Sequence, residues 1–122
     1  MTVCRGIRGA TMAEENTATA IYGATREMLV RLIEVNHIEE RNVAAAYFTM
    51  TPDLNAGFPA AARQLGWNSA ALMCGAEIAV PDSLPRCIRV LILFNTDKEP
   101  QELVNLYLRG TEVLRLAGVE SA

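Results

Sequence analysis

Arg86-Cys87-Ile88-Arg89-Val90-Leu91-Ile92-Leu93-Phe94-Asn95 is a nearly unbroken run of β-branched and leucine-rich residues. It follows the proline-bracketed loop Ala79-Val80-Pro81-Asp82-Ser83-Leu84-Pro85 and reads as the central strand of a sheet, apolar on both faces. Thr2 to Met12 and Asn42 to Met50 read as further strands, the second ended by Thr51-Pro52-Asp53, where proline removes a ladder donor and Asp favours a turn. Between them, Ile21, Met28, Leu29, Leu32 and Ile33 fall at helical spacing, which predicts an amphipathic helix over Ala18 to Asn36, capped by Thr17 and closed at His37.

Pro59 suits the first turn of a short helix, Ala60 to Leu65, with Gly66 as its stop, and a further strand is expected from about Ser69 to Cys74. Pro100 is expected to open a helix through Leu108, and Glu112 to Leu116 to return as a last short strand. The order β-α-β-α-β-β-α-β predicts an α+β fold, a mixed β-sheet with helices packed on one face. The other face would need cover, and self-association is its natural source in so small a chain.

The 122 residues suffice for one domain, 1–122, and 51% hydrophobic against 20% charged residues is ample for a core. A net charge of -3 argues against nucleic acid and anionic lipid as partners. No apolar run approaches the roughly 18 residues of a membrane span, and no export signal is visible, so a cytoplasmic protein is expected. Cys4, Cys74 and Cys87 show no metal-ligand spacing and His37 is the only histidine, so neither a disulfide framework nor a metal is indicated.

Ten of the eleven cations are arginine, with Lys98 the exception. Genomic base composition explains such a bias, and so does bidentate holding of planar anions. Arg89 interrupts the central strand on the face of Cys87, Leu91 and Leu93; it is either a structural ion-pair member, a snorkelling side chain or the holder of an anionic ligand. Arg8 shares a face with Cys4, Gly6 and Ala10, whose small side chains leave room for a carboxylate or phosphate, although strand glycines also mark bulges. Glu77 is a general base, an acceptor for a ligand hydroxyl, or the ion-pair partner of an arginine. Cys74 lacks a nearby His or Lys to activate it. With Tyr107, Phe58, Arg63 and Arg115, these residues describe an arginine-rich, aromatic pocket suited to a small anion.

Arg5-Gly6-Ile7-Arg8-Gly9-Ala10-Thr11, Thr51-Pro52-Asp53-Leu54 with Phe58-Pro59-Ala60, Arg86-Cys87-Ile88-Arg89-Val90 and Tyr107-Leu108 occur in this order along nearly the whole chain. In these four segments the sequence resembles the small, monofunctional bacterial chorismate mutases of the trimeric, non-helical class. The resemblance implies a pseudo-barrel homotrimer with sites between neighbouring chains. It also implies conversion of chorismate to prephenate by an intramolecular Claisen rearrangement, without a cofactor, on the way to phenylalanine and tyrosine. Arg89 would then donate to the ether oxygen, Arg8 would clamp a carboxylate, Glu77 would accept from the ring hydroxyl, and Tyr107 would bind the side-chain carboxylate. Met73, Cys74, Gly75 and Ala76 would line the site with Glu77, and Phe58, Arg63, Leu114 and Arg115 would lie at its wall or rim. The chain departs from relatives that carry lysine near Ala61 and a hydroxyl residue at Met73, and it is one residue shorter between Pro59 and Leu65. A non-catalytic trimeric binder of small carboxylates, and an isomerase or lyase acting on another cyclic enol ether, are the alternatives.

Overall fold

The strand Cys87–Thr96 (β4) does lie at the centre, and the rest of the chain is arranged around it. In the computed structural model, which describes residues 1–59 and 61–116, it pairs antiparallel with Val3–Met12 (β1) on one side and Val43–Met50 (β2) on the other. Ala71–Ala76 (β3) extends β2 in parallel, and Leu106–Tyr107 (β5) extends β1 in parallel. The sheet order is therefore β3-β2-β4-β1-β5.

The long helix, Ala18–Asn36 (α1), has the predicted bounds for local reasons. Thr17 accepts from the Ala20 N–H at its start, and His37 adopts a left-handed φ of 53° at its end. Its buried residues, from Ile21 through Ala24, Met28, Leu29 and Leu32 to Asn36, form one stripe. That stripe packs with Ile7, Phe48, Ile88, Val90, Ile92 and Phe94 in a single core, joined by Ala61 and Ala62 of the short helix Ala61–Gln64 (α2). Close approach is possible because β1 carries Gly9, where a Cβ would come within 2.6 Å of Leu32 Cδ1 and 3.2 Å of Met28. Gly66, with φ of 95°, stops α2 as expected.

Three expectations need correction. β3 begins two residues late and runs through Ala76, because Ser69 commits its N–H and hydroxyl to the Glu40 carboxylate at 3.0 and 2.6 Å. The helix expected from Pro100 to Leu108 is only a 3₁₀ turn, Pro100–Glu102, after which the chain runs extended into β5. Buried Asn36 captures Val104 from both sides, accepting from its N–H at 2.9 Å and donating to its C=O at 3.0 Å, and Asn105 accepts from the Arg8 N–H at 2.8 Å. These bonds replace a helical ladder. The last strand, expected over Glu112 to Leu116, is instead a helical turn, Val113–Leu116 (α3). Arg109 and Gly110, with φ of 53° and 88°, turn the chain off the sheet, and Thr111 caps the turn by donating to Leu108 C=O at 2.8 Å.

Replacing Asn36 by Leu removes both bonds to Val104 while filling the space with apolar atoms. Each orphaned group costs about 1–3 kcal/mol when water is excluded, and Val104 is partly open to solvent, so a total near 2 kcal/mol is expected. Urea unfolding at fixed protein concentration measures it; an unchanged midpoint would contradict the clamp.

Candidate active site

The strand register lines up one residue from every strand. Ala10 faces Arg89 across β1 and β4, Arg89 faces Thr49 across β4 and β2, Thr49 faces Gly75 across β2 and β3, and Ala10 faces Tyr107 across β1 and β5. One step along the sheet, Arg8, Leu91, Tyr47 and Met73 form a second row. Because alternate residues share a face, both rows belong to the side opposite α1, where Tyr47, Leu91 and Met73 stay exposed.

Glu77 follows β3 and extends its ladder by donating its N–H to Met50 C=O at 2.9 Å, which returns its side chain to this face. There it meets Arg89 side-on: Nε donates to Oε2 at 2.7 Å and Nη2 to Oε1 at 2.6 Å. The two side chains are only 15% and 27% exposed, so their bonds are partly shielded from water. Thr49 also donates its hydroxyl to Glu77 Oε2. The arginine's bonds pull the Glu77 carboxyl below its ordinary pKa, against the upward pull of burial, with help from the Thr49 hydroxyl and the Arg89 charge. The ion-pair option for Glu77 is thus realised, and it leaves the group an acceptor, not a neutral-pH base.

The pair is a wall between two cavities. One, about 330 Å³, is lined by Arg8, Tyr47, Thr49 and Ala76 as well as the pair; the other, about 290 Å³, adds Thr51, Cys87 and Leu114. Phe58, Arg63, Met73 and Cys74 line a different cavity of about 200 Å³ at the β3 edge. Cys74 is paired with Phe48 and so shares the helix-covered face, opposite to that of Glu77. Gly75 takes its place in the transverse row. Tyr107 is on β5, not on a helix as the sequence suggested, and its strand partner is Ala10. Arg115 falls within α3, but its side chain lies outside the described residues.

The turn that ends β2 is tied to the start of β4. Cys87 N–H donates to Thr51 Oγ1 at 2.9 Å and Arg86 N–H to Asp53 at 2.8 Å, which holds Arg86 at a left-handed φ of 48° three residues ahead of Arg89. Thr49 was not singled out in the sequence, and Thr51 only as part of the turn Thr51-Pro52-Asp53 and of the family-like segment, not as a site residue. Their signal was the alternation with Phe48 and Met50, which places them on one face; finding their partners needs the register. Among the described residues no group of three or more His, Cys, Asp or Glu side chains is placed to hold a metal ion, and no helix is long and apolar enough to cross a membrane.

These observations define an α+β protein that gathers arginine, carboxylate and hydroxyl groups on the face of a mixed sheet opposite α1. The chain belongs to the chorismate mutase type I family, whose model matches residues 4–117. It is 49% identical to chorismate mutase AroH of Thermus thermophilus over 113 residues, covering 91% of this chain and 93% of that one. It is 40% identical to chorismate mutase AroH of Bacillus subtilis strain 168 over 113 residues, covering 91% and 89%. A solved chorismate mutase from Clostridium thermocellum superposes with a TM-score of 0.88 at 48% identity, covering 90% of this chain and 99% of that one.

Proposed function

We propose that the protein is a chorismate mutase, isomerising chorismate to prephenate on the route to phenylalanine and tyrosine. The observation that carries the reading is the shielded Arg89–Glu77 pair, beside a cavity that also holds Arg8, in a chain of this family. In the rearrangement an ether C–O bond breaks as a C–C bond forms within one molecule, and no proton is gained or lost. The enzyme's task is to hold the dicarboxylate in its compact conformer and to stabilise charge as it separates.

In this reading Arg89 donates to the ether oxygen as negative charge grows there. Arg8 clamps a carboxylate, and Tyr107 hydrogen-bonds the side-chain carboxylate. Glu77 accepts from the ring hydroxyl and faces the positive charge developing on the ring. Met73, Cys74, Gly75 and Ala76 line the site, with Cys74 as a polar wall, while Phe58, Arg63, Leu114 and Arg115 complete its wall and rim.

Phe58, Arg63 and Cys74 line a different cavity from Arg8, Glu77 and Arg89. A site between neighbouring chains would bring the two sets together, and the exposed Tyr47, Leu91 and Met73 give the sheet face opposite α1 a reason to be covered by further copies. Both features support a homotrimer acting on a small molecule. Loss of chorismate's ultraviolet absorbance, with prephenate identified by its acid conversion to phenylpyruvate, tests the activity, and sedimentation equilibrium tests the assembly.

The pH dependence follows from the lowered Glu77 pKa. A depressed carboxyl pKa contributes stability that is fully present above the unfolded value and is lost as pH falls through the folded one. Glu77 therefore stays ionised throughout the neutral range, and kcat/KM should be flat from about pH 6 to about pH 8, falling only in acid. A bell centred near neutrality, with the assembly intact, would refute a reaction without acid–base catalysis.

A further inference from the structure

Glu77 Oε2 takes two donors where Oε1 takes one among the bonds described: Arg89 Nε and the Thr49 hydroxyl converge on it. This asymmetry bears on catalysis. The Arg89 fork fixes the plane of the carboxylate, and the Thr49 hydroxyl adds a bond from a third strand position to one of its two oxygens. Thr49 belongs to β2, stands directly opposite Arg89 in the register, and is β-branched, so its χ1 is restricted and its hydroxyl is anchored to the sheet rather than to the pair. Across from it on the other side is Gly75, where a Cβ would meet nothing within 4 Å, so Thr49 is not crowded from β3.

We propose that Thr49 is a positioning residue: its hydroxyl pins Glu77 Oε2, and through Glu77 it fixes the direction in which the Arg89 guanidinium is presented to the substrate. The inference rests on the proposed roles of Glu77 and Arg89. Thr49 does not touch the reacting atoms in this account. Other titratable or charged groups beside the pair are Arg8 from β1 and Tyr47 from β2 in one cavity, and Cys87 of β4 in the other.

The test compares Thr49→Val with Thr49→Ser. Valine keeps the shape and the strand preference but removes the donor; serine keeps the donor. Thr49→Val is expected to lose about 10- to 100-fold in kcat with a smaller change in KM, since misdirection of a donor penalises the transition state more than binding. Its Glu77 carboxyl, followed by ¹³C NMR, should titrate at higher pH than in the parent, and the acid limb of kcat/KM should move with it. Thr49→Ser should restore both. A purely structural role would lower the melting temperature without moving the Glu77 titration.

Two control variants separate the possible failures. If Arg89→Ala and Glu77→Gln are crippled while Thr49→Val keeps parental kcat and an unmoved titration, the role of Thr49 is overturned and the site reading stands. If Arg89→Ala and Glu77→Gln turn over chorismate normally, both fall.

Discussion

Arg89→Ala should lose at least about 10³-fold in kcat while KM changes far less. Removing one donor aimed at a developing oxyanion typically costs about 3–4 kcal/mol, and a guanidinium that also orients the substrate costs more. The reaction offers no alternative route through protons or a covalent intermediate, so nothing else in the site takes over the work. Arg89→Lys should recover little. The side-on fork to Glu77 uses Nε and Nη2 together, and an ammonium ion supplies neither the plane nor the two parallel bonds. Circular dichroism would confirm that β4 still forms, and turnover near the parental rate in a folded Arg89→Ala protein would sink the mechanism.

Glu77→Gln is the second large effect, about 10²-fold in kcat. The amide has the shape of the carboxylate but presents one NH₂ where two acceptors faced Arg89, so a donor is turned toward a donor at Nε or Nη2. In the proposed role of Glu77, the site also loses the negative charge that faces the ring. Comparison with Glu77→Ala separates these contributions: if charge and the paired acceptors dominate, the two variants are equally poor; if shape dominates, the glutamine variant is clearly better. The Arg89→Ala/Glu77→Ala double variant should lose less than the two single losses combined, because each residue acts partly through the other. Full additivity in that cycle would mean that the ion pair is incidental to catalysis.

What was legible in the sequence divides by range. The centrality of β4 and the ends of α1 follow from neighbouring residues: an apolar run after a proline loop, a threonine three residues ahead of the N–H it caps. β5 follows from nothing local. Residues 104 to 107 are extended because the side chains of Asn36 and Asn105 bind partners 68 and 97 residues away in the chain, and these bonds outweigh the proline-led helix signal. The candidate site shows the same division. Arg8, Arg89 and Glu77 stand out as charges among small or apolar neighbours, but the bond between Arg89 and Glu77 depends on how β2, β3 and β4 are registered, which a single sequence does not encode in any local pattern. Thr49 was overlooked for that reason. In isolation it is an ordinary strand threonine, and only its place opposite Arg89 makes it notable. The separation of Cys74 from Glu77, three residues apart yet on opposite faces, was open to an alternation argument once β3 was known to reach Ala76.

The row from Tyr107 through Ala10, Arg89 and Thr49 to Gly75 also governs how the protein comes to life. Its members are contributed by five strands, and the order of those strands in space is not their order along the chain. The two halves of the row cannot be joined early, because β4, the strand between them, arrives only after the crossings that lead to β2 and β3. Those long crossings must close before any of the pairings compensates for the lost chain freedom. The full row therefore exists only when the outermost strands have docked, whereas the ends of α1 are set by local signals.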